Sequence, residues 1–269
     1  MVSTKIVTLT TDFGMRDPYV AQMKAAILSI CPVATIVDIT HEVEKFNIRM
    51  GTYILASASQ YFPEGTIHVA VVDPEVGTRR QPLLIQTERG FFVGPDNGLL
   101  ALAAYKQGII QTIQITNPKF MLSKISNTFH GRDIFAPAAA YIACGVLPCE
   151  FGPIARDAIK PDFARVIRDR TTLTGEVLHI DRFGNIITNI SEQEMKLIHL
   201  ERHCFIEMDN RQLELKIGKA YGDSELHQPL VLVGSHGYLE IAVNQGSAAE
   251  TLTATRTDFG HCIASVHAR

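Results

Sequence analysis

The stretch Lys5-Ile6-Val7-Thr8-Leu9-Thr10-Thr11-Asp12-Phe13-Gly14-Met15-Arg16-Asp17-Pro18-Tyr19 decides the fold class. Residues 5–10 alternate β-branched and apolar side chains, the signature of a strand. A short polar loop follows. Asp17 and Pro18 then supply an N-cap and a first helical proline, and Tyr19, Met23, Ile27 and Ile30 recur at helical spacing until Pro32 stops the run. Strand, loop and amphipathic helix in that order predict the first unit of a mostly parallel sheet.

Working outward, the alternation repeats. Strands are predicted at 35–39, 66–72, 82–86, 91–93 and 109–115, and helices at 48–61, 99–105 and 133–144. The character then changes. From 171 to 269 only strand-like runs remain (172–180, 185–190, 204–208, 212–217, 229–233, 238–243 and 262–267), punctuated by Gly184-Asn185, Asp209-Asn210, Gly237 and Gly246. That pattern predicts a small antiparallel barrel or sandwich. The expected organisation is an α/β domain over 1–160, a linker over 161–170 and a smaller all-β domain over 171–269.

Composition narrows the function. In 269 residues, 46% are hydrophobic and 20% charged, ample for a core, and the formal charge is −3. No basic block stands out, which argues against nucleic-acid and anionic-membrane partners. No apolar run approaches the roughly 18 residues of a membrane span. The first residues read directly as a strand. The five cysteines are spread without a Cys-x-x-Cys pair, favouring reduced thiols and a cytoplasmic location.

In a parallel sheet, ligands collect beyond the carboxyl ends of the strands. Asp12, Asp38 and Asp73 fall at predicted strand ends. Each also suits a turn cap, Asp38 most of all. Asp12 and Asp17 are candidate ligands for a ribose diol. Arg80, seven residues beyond Asp73, is placed to fold back into an ion pair, either as a surface salt bridge or as a means of keeping Asp73 ionised. His130 sits in Asn127-Thr128-Phe129-His130-Gly131-Arg132-Asp133, where Gly131 permits close backbone approach and charge gathers at a helix start. In the second half, Phe183 and Tyr221 stand in or beside loops, and Glu240 lies among apolar strand residues, where a charge needs a partner.

Several chemistries are excluded. Asp12-Phe13-Gly14 lacks the other kinase motifs, and Gly234-Ser235-His236-Gly237 lacks the glycine two positions before a nucleophile-elbow serine. Neither a dinucleotide fingerprint nor a phosphate loop is present.

Six ordered motifs together resemble one family: Thr11-Asp12-Phe13-Gly14, Val72-Asp73-Pro74-Glu75-Val76-Gly77-Thr78-Arg79-Arg80, Pro95-Asp96-Asn97-Gly98-Leu99, Phe129-His130-Gly131-Arg132-Asp133, Asp181-Arg182-Phe183-Gly184-Asn185 and Gly237-Tyr238-Leu239-Glu240-Ile241-Ala242. The family is that of the S-adenosyl-L-methionine (SAM) hydroxide adenosyltransferases, relatives of the fluorinase and chlorinase. The resemblance implies hydrolysis of SAM to adenosine and methionine, with no cofactor and no metal. It implies a homotrimer whose sites lie between the first domain of one subunit and the second domain of its neighbour.

Residue by residue, it makes Asp73, Arg80 and His130 the group that holds and activates water. Asp12 becomes the ribose ligand, with Asp17 and Phe46 nearby, and Thr128 and Phe129 line the reacting end. Phe183 and Tyr221 sandwich adenine, which Asn185 and the backbone near Val243 hydrogen-bond. Asp181 and Ser235 hold the amino-acid group, with Glu240 a weaker candidate. Asp73 and Gly131 stand where the halogenating relatives carry a tyrosine and a serine-lined halide pocket, and the stretch 86–92 lacks their long insertion. Water is the expected nucleophile. Two other readings stay open: a metal-dependent nucleoside hydrolase, echoed in Thr11-Asp12-Phe13-Gly14-Met15-Arg16-Asp17, and a non-catalytic SAM or adenosine binder.

Overall fold

The computed structural model describes residues 5–159, 166–198, 203–208, 211–252 and 263–267. The chain divides into two compact units, Met1–Pro161 and Asp162–Arg269.

The first unit is built on six strands: β1 (Ile6–Thr11), β2 (Thr35–Thr40), β3 (Thr66–Val71), β4 (Pro82–Thr87), β5 (Gly90–Pro95) and β6 (Ile109–Gln114). Their order is β2-β1-β3-β5-β4-β6. The four strands β2, β1, β3 and β5 pair in parallel, while β4 runs against both its neighbours. β4 and β5 are joined by a tight hairpin, so one antiparallel strand interrupts a sheet otherwise directed one way.

Helices α1 (Tyr19–Ile30), α2 (Ile48–Ser59), α3 (Ala101–Lys106) and α4 (Ala136–Ala143) cover it. Alternation along β3 explains the layering. Val69 and Val71 join Met23, Ile27 and Phe135 in one core, while Ala70 and Val72 join Leu55, Phe92 and Leu99 in the other. A sheet buried on both faces needs apolar side chains of both parities, and this one has them.

Three local expectations are corrected here. Helix α1 begins at Tyr19 with Pro18 at its cap and no side-chain capping bond, so Asp17 is not the cap. Asp38 lies inside β2 rather than beyond its end, tied to Lys24 Nζ at 2.6 Å and His41 Nε2 at 3.1 Å, a structural role. The helix expected from residue 133 is entered through a π turn, Gly131–Phe135, whose looser winding precedes α4. Such turns recur at functional sites.

Among the described residues the second unit has eight strands: β7 (Ile167–Asp169), β8 (Thr172–Ile180), β9 (Ile186–Ser191), β10 (His203–Met208), β11 (Arg211–Ile217), β12 (Pro229–Val233), β13 (Tyr238–Val243) and β14 (Ile263–His267). Their order is β14-β10-β11-β12-β13-β9-β8-β7, and an additional β14–β8 pairing curls the sheet back on itself. Ile206, Val231, Leu239 and Ile241 fill its core. The sheet is antiparallel except at the β11–β12 joint, which is parallel. β7 falls within the stretch expected to be linker, so the strands begin earlier than predicted. Residues 160–165, and the expected turn at Asp209-Asn210, lie outside the described residues. The unit is not wholly β: α5 (Glu192–Lys196), capped by Ser191, and α6 (Ala248–Thr251) interrupt it. Among the described residues no helix is long and apolar enough to cross a membrane.

Candidate active site

The parallel strands deliver their following loops to one edge of the first sheet. Asp12 follows β1 and Asp73 lies two residues past β3. The third contributor arrives from further along the chain. Gly77 sits at φ +79°, and a Cβ there would stand 2.2 Å from the carbonyl oxygen of Asn127. Only glycine lets the turn between Asp73 and Arg80 lie so close against the loop that carries Thr128, Phe129 and His130. That loop is held from its other side by the fully buried Asp133, whose carboxylate accepts from Ser126 N at 2.7 Å and from Arg132 Nε at 2.6 Å.

Arg80 joins these parts. Its Nε donates to Asp73 Oδ1 at 2.9 Å, and its Nη2 donates both to Asp73 Oδ2 at 2.5 Å and to His130 Nδ1 at 2.7 Å. The ion pair is buried, with side-chain exposures of 3% and 5%, so it is no ordinary surface salt bridge. The guanidinium also lies over the Phe135 ring, 5.2 Å from its centroid. Its Nη1 is buried and makes no protein hydrogen bond.

A guanidinium only donates, so His130 Nδ1 must accept, and the neutral imidazole therefore carries its proton on Nε2. Burial, then the charge of Arg80, lowers the His130 pKa from its ordinary value of 6.5. Asp12 is pushed upward, chiefly by burial, against the lowering effect of the Phe46 amide and with a further rise from Asp73.

Asp73 and His130 border a pocket of about 430 Å³ together with Asp12, Asp17, Phe46 and Thr128. Phe129 lines it too, packed edge-on against Phe13 and Tyr19 at 5.6 and 5.3 Å between centroids. Phe46 N donates to Asp12 Oδ2 at 2.9 Å from a backbone at φ +65°, a conformation a bulky residue rarely adopts. Phe13, Tyr19 and Lys45 also line the pocket. Phe13 falls within the Thr11–Gly14 motif without a role assigned to it, and nothing in the sequence separates Tyr19 and Lys45 from ordinary helix and loop residues.

The second unit holds a separate concavity of about 500 Å³, lined by Phe183, Asn185, Tyr221 and Val243 together with Asn244, Gln245 and Gly246. Phe183 is 77% and Tyr221 46% exposed, so both rings present a face to solvent. Asp181 is turned inward on its own loop. Its Oδ1 accepts from the Phe183 and Asn185 amides, and its Oδ2 from Asn185 Nδ2, each at 2.9 Å.

Glu240, only 3% exposed, accepts from Tyr221 Oη at 2.8 Å and pairs with His236 Nε2 at 3.0 Å. His236 Nδ1 accepts from Tyr238 N at 3.2 Å, so this imidazole is used at both nitrogens and is no base for Ser235. Ser235 is exposed on the turn before β13. The partner that Glu240 needed is thus two residues, and His236 carried no sequence signal for it. Among the described residues no group of three or more His, Cys, Asp or Glu side chains is arranged to hold a metal ion.

With this geometry in hand, the comparisons with known proteins are direct. A model of the SAM hydroxide adenosyltransferase N-terminal domain matches residues 7–152, and one of the C-terminal domain matches residues 175–259. A protein of Methanocaldococcus jannaschii named (R)-S-adenosyl-L-methionine hydrolase is 37% identical over 263 residues, covering 94% of each chain. A fluorinase of an Actinoplanes species is 26% identical, covering 91% of this chain and 92% of its own. A crystal structure of a conserved Thermotoga maritima protein superposes with a TM-score of 0.88 at 35% identity, covering 98% of this chain and all of the other.

Proposed function

The chain belongs to the SAM hydroxide adenosyltransferase family, and from that premise we propose that it hydrolyses SAM to adenosine and L-methionine. The observation that carries the reading is Arg80 bridging Asp73 and His130 beside the pocket that Asp12 also lines. The identity to a SAM hydrolase is higher than that to a fluorinase, 37% against 26%. That favours water over halide.

The substrate's sulfonium makes C5′ electrophilic and its leaving group a neutral thioether. The oxygen of water attacks C5′ opposite sulfur, the C5′–S bond breaks with its electron pair passing to sulfur, and one proton is released. Water is a weak nucleophile, so positioning is the main task, and well-oriented systems reach effective molarities on the order of 10⁵ M or more. Asp73 accepts from the attacking water and takes its proton. His130 offers Nε2–H, because its one lone pair is committed to Arg80, and so orients the water without deprotonating it. Arg80 fixes both partners. No oxyanion develops on carbon, so the reaction calls for neither metal nor cofactor.

Asp12 holds the ribose diol, with Asp17 and Phe46 beside it, and Thr128 and Phe129 border the reacting carbon. In the second unit Phe183 and Tyr221 sandwich adenine, Asn185 and the Val243 backbone bond its edge, and Ser235 takes the amino-acid group. Copies of the chain assemble as a homotrimer, each site completed by a neighbour's second unit, in the cytoplasm. The (R) in the relatives' names adds a stereochemical choice. With the L-amino acid and ribose fixed, it specifies the sulfonium, and the (R) epimer is the preferred substrate.

The test is incubation of purified protein with each SAM epimer, followed by chromatography for adenosine. Adenosine and methionine in equal amounts, insensitive to EDTA, is the expected result. Loss of turnover in EDTA would favour the nucleoside hydrolase reading, and binding without turnover the sensor.

A further inference from the structure

We infer that Cys31 and Cys144 are a thiol pair that oxidises to an intramolecular disulfide, Cys144 capturing a disulfide oxidant and Cys31 resolving it.

The two cysteines lie far apart in sequence, and the fold brings them together. Helix α1 ends on Cys31 and α4 ends on Cys144, each residue standing at the C-cap of its helix. The helices pack against each other, with Met23 and Ile27 sharing one core with Ala136 and Ala140. Both start near the candidate pocket, α1 at Tyr19 and α4 through the π turn that follows His130, so their C-caps meet at the far ends. The Cys144 thiol donates to the carbonyl oxygen of Ile30 at 3.7 Å, in the peptide group that also carries the Cys31 amide. The Cys31 thiol is the other group it meets.

The two thiols differ in access. Cys31 is 1% exposed, whereas Cys144 is open to solvent. An accessible thiol beside a second, buried one suits capture followed by resolution. Burial, then the hydrogen bond and charge of Cys31, push the Cys144 thiol up from its ordinary value, with Lys5 acting against them. The thiolate is the attacking form, so capture is the slow step.

Glutathione disulfide is an oxidant of the required class. The Cys144 thiolate attacks one of its sulfurs, the S–S bond breaks, and one glutathione leaves and takes up the proton given up by Cys144. The Cys31 thiolate then attacks Cys144 Sγ, forming the Sγ–Sγ bond and expelling the second glutathione, which takes up the Cys31 proton. Two electrons pass from the protein thiols to the oxidant. The new bond closes the loop from residue 31 to residue 144, and a cross-link over so long a loop restricts the unfolded chain strongly.

The experiment is incubation of the full chain with glutathione disulfide, then alkylation, proteolysis without reductant and peptide mass mapping. Thermal melts of the same samples are recorded before and after dithiothreitol. A peptide joining Cys31 to Cys144, lighter by the two thiol hydrogens, is expected, with the exposed Cys149 outside it. The melting temperature should rise by about 5–15 °C in the linked form and fall back on reduction. Cys31→Ser should leave Cys144 trapped as its glutathione adduct. Cys144→Ser should leave Cys31 unmodified, because the outer thiol that captures the oxidant is gone.

Glutathione retained on Cys144 of wild type with Cys31 still free overturns the inference. So does Cys144 joined to a second copy of the chain. A Cys31–Cys144 link that leaves the melting temperature unchanged or lowers it also overturns it, since the bond then forms only by distorting the fold. The wild-type map decides even if Cys31→Ser, a change inside the core, does not fold.

Discussion

Arg80 Nη2 donates to His130 Nδ1 at 2.7 Å while it also pairs with Asp73 Oδ2. This relationship settles the state in which the imidazole enters the reaction. Protonated at both nitrogens, His130 would turn a donor toward a donor and place two cations in contact. The guanidinium therefore selects the neutral ring, and burial acts the same way. The sign follows. A histidine whose folded pKa is depressed stays neutral below its ordinary value and loses its Arg80 bond only as pH falls through the lowered one. Activity is expected to be level down to pH 6.5 and to decline only below it. The ¹⁵N shifts of the ring should report Nδ1 without a proton and Nε2 with one. An acidic limb centred at or above 6.5 would contradict this.

Asp73 is the proton acceptor in that scheme, and its test must separate chemistry from folding. Removing one member of a buried ion pair typically costs about 3–5 kcal/mol, so Asp73→Ala is expected to be markedly less stable. Asp73→Asn keeps an acceptor for Arg80 but is a far poorer base. Its kcat should fall by about 10²-fold or more, the usual contribution of a positioned acid or base, with substrate affinity nearly unchanged. Single-turnover kinetics beside equilibrium SAM binding checks both parts. Wild-type turnover in Asp73→Asn would remove the carboxylate from the mechanism.

Gly77 brings the turn that carries Asp73 and Arg80 against the loop that carries His130. An alanine methyl there would meet the Asn127 carbonyl at 2.2 Å, and the φ of +79° disfavours any side chain. The Asn127–His130 loop must retreat, and a shift of about 1 Å in a positioned group can cost about 10²-fold in rate. Gly77→Ala is expected to lose at least tenfold in kcat, with a lower melting temperature. Unchanged kcat would mean that the loop contact does not position His130.

The distance between these effects and the sequence explains what could be read early. Asp73 and Arg80 are seven residues apart across a Pro/Gly turn, so their pairing follows from local chain reversal. The strand-end position of Asp12 follows from the βα alternation. His130 is different: its approach to Arg80 depends on the sheet order and on Gly77 lying against Asn127, and only the family resemblance brought it into the group beforehand. Hydrogen-bond polarity was less accessible still. That Asp181 faces Asn185 is a matter of side-chain direction in a loop, and that Glu240 on β13 meets Tyr221 and His236 depends on how the loops carrying those two residues return to the strand. The π turn after His130 and the parallel β11–β12 joint leave no periodicity by which to predict them, since each departs from the regular spacing that pattern reading uses.

The Tyr221–Glu240 bond offers the last test, because it separates affinity from chemistry. Glu240 stands in the middle of β13, and its carboxylate receives Tyr221 Oη at 2.8 Å and His236 Nε2 at 3.0 Å. It thus anchors Tyr221, an aromatic wall of the proposed base site, from the strand that carries it. Glu240→Ala takes the acceptor from two donors at once, a loss of about 1–3 kcal/mol when such groups are buried. Tyr221 should then sample other rotamers, and KM should rise about tenfold, while kcat at saturation stays within about twofold because the reacting carbon is served by other residues. Glu240→Gln retains a carbonyl acceptor for Tyr221 and should recover most of the affinity. Tyr221→Phe combined with Glu240→Ala should cost less than the two changes summed, since both break the same bond. A fall in kcat at unchanged KM would instead place Glu240 at the reacting end of the site.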